Sequence, residues 1–173
     1  MTDFNTFANS LVNITNENKK GKIIRIVEQE KKKLLEKVDS LEGFCKYIAS
    51  QIEYELKKTD SSLLVYYIDL NTLTDEIVDH AILIVEYFYN GQKEQLLIDP
   101  TFIQFTEQKN RKLTGYAEWP GNKLSPILVS QLLDTGVIEM TEEIFNEYLN
   151  SFLQEKTYFS LEKYLIQNSV RMR

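Results

Sequence analysis

The chain of 173 residues has one cysteine, one histidine and one tryptophan, with only three prolines and six glycines. A lone cysteine excludes an internal disulfide. That suits a reducing compartment, although many secreted bacterial proteins also manage without one. So little Gly and Pro argues against disorder and against a scaffold built from loops. Long apolar runs are missing too: Leu63 to Ile68 and Ala81 to Val85 fall far short of a bilayer's thickness. The N-terminus opens with Asp3 and has no basic start leading into an apolar stretch, so a cleaved signal peptide is not expected. The expected location is cytoplasmic, or exported without a cleaved signal. Positive charge is in deficit, with a net charge of −6, so a phosphate backbone would be repelled and nucleic acid is not an expected partner. A protein or peptide remains the expected partner, and the oligomeric state is open.

What is present describes an ordinary globular domain, 43% hydrophobic and 27% charged, of a length that suits a single core. The apolar residues Phe4, Phe7, Leu11, Val12 and Ile14 suggest a short amphipathic helix before a break at Lys19-Lys20-Gly21-Lys22. A second helical stripe runs from Ile23 to Val38, with Lys31-Lys32-Lys33 on its solvated side. Ser40 to Lys58 reads as the next helix, because Phe44, Ile48, Ile52 and Leu56 recur every four residues. The period then changes. Ser62 to Leu70, His80 to Tyr89 and Gln95 to Ile98 read as strands, and Asn90-Gly91 between the last two is a strong hairpin signal. Pro100 ends the third strand. Residues 106–126 form a long polar loop that holds Trp119 and is a possible lid. Helices resume at about Pro126 to Leu133, Thr141 to Leu153 and Ser160 to Asn168.

Cys45, His80 and Asp99 carry the candidate chemistry. A thiolate nucleophile needs surroundings that favour its charge and a base to collect its proton. The start of a helix supplies the first through its dipole and free N–H groups. Cys45 follows Glu42-Gly43-Phe44 near such a start. Gly43 would let a substrate backbone approach closely, and the Cys45 N–H could donate to an oxyanion. His80, the only imidazole, titrates near neutral pH. With a two-residue turn at Asn90-Gly91, Ile82 opposes Asp99 and His80 opposes Thr101. His80 and Asp99 then share one face of the sheet as diagonal neighbours.

The run Gly43-Phe44-Cys45-Lys46, then Asp79-His80-Ala81-Ile82-Leu83-Ile84, then Leu97-Ile98-Asp99-Pro100-Thr101 resembles the transglutaminase-like branch of the papain-like cysteine enzymes. The resemblance covers Leu41 to Phe105. It implies an α+β papain-like core with a helical N-terminal half, a small antiparallel sheet and a helical C-terminal segment. It also implies Cys45 as nucleophile, His80 as general base and Asp99 as the orienting acid, acting on amide bonds of a protein or peptide with no cofactor and no metal. Peptidase, glutamine deamidase and transglutaminase chemistry all use such a triad. The Lys, Asn, Ile and Glu usage fits an AT-rich bacterial source, which makes an effector or toxin deamidase a candidate.

Each residue also has a plain reading: a buried Cys, a satisfied core His, and an Asp-Pro that only ends a strand. Family members often carry Trp where this chain has Lys46 and Ile82. The alternative is therefore a non-catalytic protein-interaction module on a degenerate papain-like fold. Gln104 and Trp119 are further candidates for contact with substrate, beside their readings as a turn-closing amide and a packed loop aromatic.

Overall fold

The computed structural model describes residues 4–41, 43–77, 79–105, 124–153 and 155–171, with side chains described between residues 19 and 166. It is a mixed α+β protein. A four-stranded antiparallel sheet in the order β1-β2-β3-β4 consists of β1 (Leu64–Asp69), β2 (Ala81–Tyr89), β3 (Gln92–Ile98) and β4 (Val137–Glu139). Helices α1 (Phe4–Leu35) and α2 (Cys45–Thr59) precede it, α3 (Pro126–Thr135) lies between β3 and β4, and α4 (Glu142–Asn150) and α5 (Leu161–Arg171) close the described chain. Among the described residues no helix is long and apolar enough to cross a membrane.

β2 is buried through seven consecutive residues because both of its faces are covered. Leu83 and Val85 pack with Val27, Ile48 and Ile52 under α1 and α2. Ile82 and Ile84 point the other way, into a core with Phe102, Phe145 and Leu149. A strand covered on two sides reads as a continuous apolar run instead of an alternating one. The β2–β3 register pairs Leu83 with Ile98 and Tyr89 with Gln92, as the two-residue turn requires. Asn90 and Gly91 both take positive φ, 50° and 76°, which matches the twist of the strands they join.

The expected break at Lys19-Lys20-Gly21-Lys22 is not there; α1 runs through it without interruption. An exposed Gly costs a helix only about 1 kcal/mol relative to Ala. That turn is tied down on both sides, by Lys20 to Glu139 at 2.6 Å and by Lys19 to Ser62 at 3.0 Å. Buried Ile23, Val27 and Leu34 then anchor the remainder of the helix. The helix expected from Ser40 begins at Cys45, and β3 starts three residues earlier than expected, at Gln92. β4 was not expected: three residues between two helices carry too little pattern to announce a strand. The caps are where the residue types put them, Ser125 before Pro126 and Thr141 before Glu142.

Candidate functional site

Cys45 is the first residue of α2. Phe44 precedes it as N-cap, with no side-chain cap bond, so the first turn keeps its N–H groups free of a capping side chain. Gly43 sits in a left-handed turn at φ 81° and is exposed. Nothing lies within 4 Å of where its Cβ would be, so it is the backbone conformation, and not crowding, that calls for glycine there.

His80 stands one residue before β2, and its carbonyl accepts from Leu70 N at 2.8 Å. Asp99 stands one residue after β3, with its N–H donating to the Gly136 carbonyl at 2.8 Å. Gly136 ends α3 at φ 76°, and a Cβ on it would come 3.0 Å from Pro100 Cα. The Asp-Pro corner is thus closed by a residue at which any side chain would be strained.

The two side chains meet as the register implied. His80 Nε2 lies 2.9 Å from Asp99 Oδ2, with the pair 1% and 0% exposed. The ring is packed edge-on by Phe105 at 4.6 Å between centroids and flanked by Phe152. Cys45 is within hydrogen-bonding reach of the imidazole. Nε2 is taken by Asp99, so Nδ1 is the nitrogen left for the sulfur. Gln104 Nε2 is 3.5 Å from that same Nδ1 and donates to Thr101 Oγ1 at 3.1 Å. Burial opposes a charge on the ring, but the Asp99 carboxylate and its hydrogen bond, together with the Cys45 sulfur, outweigh it. His80 is therefore raised from 6.5 to about 9. The imidazole thus sits between a carboxylate and a sulfur.

The chain matches no family model, no curated protein and no solved structure.

Of the residues singled out from sequence, Cys45, His80, Asp99 and Gln104 converge on one point, at the end of the sheet where β2 begins and β3 finishes. Gly43 lies two residues before the thiol. Trp119, and residues 106–123 of the expected lid, are outside the described residues. Among the described residues no group of three or more His, Cys, Asp and Glu side chains is placed to hold a metal ion.

Three neighbours were not foreseen. The Tyr148 hydroxyl, fully buried on α4, donates to Asp99 Oδ2, the oxygen that His80 also contacts. In the sequence it is one more apolar position of an amphipathic helix, and nothing marks it otherwise. Asp79 takes φ 56° and turns its carbonyl onto the Cys45 thiol, which donates to it at 3.0 Å. Lys46 reaches Asp79 Oδ1 at 3.1 Å and Asp69 Oδ2 at 3.3 Å.

Proposed function

We propose that this protein is a thiol acyl-transfer enzyme acting on amide bonds of a protein or peptide. The observation that carries the proposal is that the chain's only cysteine and only histidine face each other, with Asp99 behind the ring. In this reading the Cys45 thiolate attacks the carbonyl carbon. The developing oxyanion is met by the free N–H groups at the start of α2 and by the Gln104 amide. His80 returns its proton to the leaving amine, a thioester remains on Cys45, and water or an amine releases it. Asp99 keeps Nδ1 aimed at the sulfur throughout. Peptide cleavage, glutamine deamidation and amine transfer share these steps. The papain-like, transglutaminase-like core belongs to the same proposal, as does a bacterial effector or toxin role. In this reading the whole chain is one domain, with its catalytic motifs in 41–105.

The rival reading, a non-catalytic interaction module, has an observation of its own. Cys45 is only 5% exposed and its thiol proton points at the Asp79 carbonyl. Alkylation by iodoacetamide, followed by mass, separates the two. An ordinary thiol reacts only as the pH approaches about 8.5. The enzyme reading expects fast labelling at pH 6 that His80→Ala slows, together with hydrolysis of p-nitrophenyl acetate that Cys45→Ala abolishes. Slow labelling that rises only in the alkaline range, with no ester turnover, would sink it.

A further inference from the structure

Asp99 is a carboxylate with no exposure, and it is used unevenly. Its Oδ1 has no hydrogen-bond partner among the described residues. Its Oδ2 takes both His80 Nε2 and the Tyr148 hydroxyl. Two donors therefore compete for one oxygen, one from the head of β2 and one from α4, which packs in the core on the far side of the sheet from α1 and α2.

We infer that Tyr148 is a positioning residue that limits how tightly Asp99 holds the proton on His80. This deepens the triad reading and rests on it. The groups facing the imidazole are Asp99 from the end of β3, the Cys45 sulfur from α2, the Gln104 amide from the 3-10 turn Phe102–Phe105, and the rings of Phe105 and Phe152. Asp79, next in the chain, turns its carboxylate outward to Lys46. None of these relieves Asp99 when the imidazole is neutral, and Tyr148 does.

The sign comes from the difference between the two protonation states. With the ring charged, a cation and a hydroxyl together offset the buried carboxylate. With the ring neutral, the carboxylate keeps its charge and is offset only by neutral donors, so the hydroxyl matters most in that state. Deleting it destabilises the neutral-ring state more than the charged one and raises the pH at which the ring loses its proton. A base that must both collect a proton and return it to a leaving amine works best when that pH is not far from its surroundings. Tyr148 keeps the carboxylate from holding the proton too firmly.

The test uses the full chain. His80 is the only histidine, so a single set of imidazole signals reports its titration by NMR without assignment. Tyr148→Phe is expected to move the midpoint upward by roughly one pH unit, the scale on which one hydrogen bond to a charged form shifts a titration. A midpoint that stays put or falls overturns the inference, and a lowered Tm with an unmoved midpoint identifies Tyr148 as core packing only. If the Phe variant does not fold, Tyr148→Met removes the same hydroxyl with an adaptable side chain and is read by the same midpoint. Labelling of wild-type Cys45 by iodoacetamide tests the triad separately. A slow thiol with a shifted midpoint ends the enzyme reading and leaves the positioning role standing. A fast thiol with an unmoved midpoint does the reverse.

Discussion

The carbonyl oxygen of Asp79 lies 3.0 Å from the sulfur of Cys45 and accepts a hydrogen bond from its thiol. The contact depends on a left-handed residue that is not glycine, at φ 56°, directly before His80. Aspartate tolerates this region better than most residues. Here it is also held from outside, since Lys46 grips its carboxylate while reaching Asp69.

Lys46→Met is expected to loosen that hold. The ammonium is exposed, so global stability should hardly change. The Asp79 peptide should become freer to turn away from the thiol, and iodoacetamide should label Cys45 faster than in the wild type. Raising the salt concentration should have the same effect on the wild type and little on the variant, because exposed ion pairs are screened. Identical labelling rates across all four conditions would show that the clamp does not govern access.

Gly136→Ala should be costly for a change of one methyl group. The new Cβ would sit 3.0 Å from the Pro100 backbone at a φ of 76°, and neither the proline nor the helix end can give way easily. A loss of about 1–3 kcal/mol in urea unfolding is expected, the range for backbone strain held in place by its surroundings. The same push acts on the corner that carries Asp99, so labelling of Cys45 at pH 6 should slow as well.

Stability should fall as the pH is raised from about 6.5 to about 9. His80 binds its proton more tightly folded than unfolded, since its pKa rises from 6.5 to about 9. Its contribution is therefore complete below about 6.5 and is lost on passing about 9. Urea midpoints measured at pH 6, 7.5 and 9.5 should decline in the wild type and be flatter in His80→Gln. Parallel curves for the two proteins would remove His80 as the source.

Gln104→Ala should separate turnover from labelling. An amide that meets an oxyanion has no part in alkylation, where no oxyanion forms. Hydrolysis of p-nitrophenyl acetate is expected to drop by about 10²-fold, as for loss of one such donor. The iodoacetamide rate should stay near the wild-type value. Equal losses in both assays would instead assign Gln104 to holding the ring of His80.

The hairpin was legible because Asn90-Gly91 sets the register by itself, and the register puts His80 and Asp99 on one face. Cys45 is legible as lying near a helix start, but the four-residue recurrence of Phe44, Ile48, Ile52 and Leu56 does not fix the first helical residue, and the helix begins at Cys45, not at Ser40. Lys19 to Lys22 misled in the opposite direction: three lysines and a glycine look like a break until Glu139 and Ser62 are found beside them, and those lie far away in sequence. Tyr148 could not have been read at all. A tyrosine in an apolar stripe has many reasons to be there, and only the fold shows that its hydroxyl ends on Asp99.

Asp99 leans on two residues made long after it, the Gly136 carbonyl and the Tyr148 hydroxyl. A nascent chain holding Cys45, His80 and Asp99 is therefore still unfinished as a site. The backbone N–H of Asp99 lacks the Gly136 carbonyl until α3 has ended, and its Oδ2 has only His80 until α4 has been made. Asp99 is thus the member of this cluster that finds its partners last, the final one lying 49 residues beyond it in the chain.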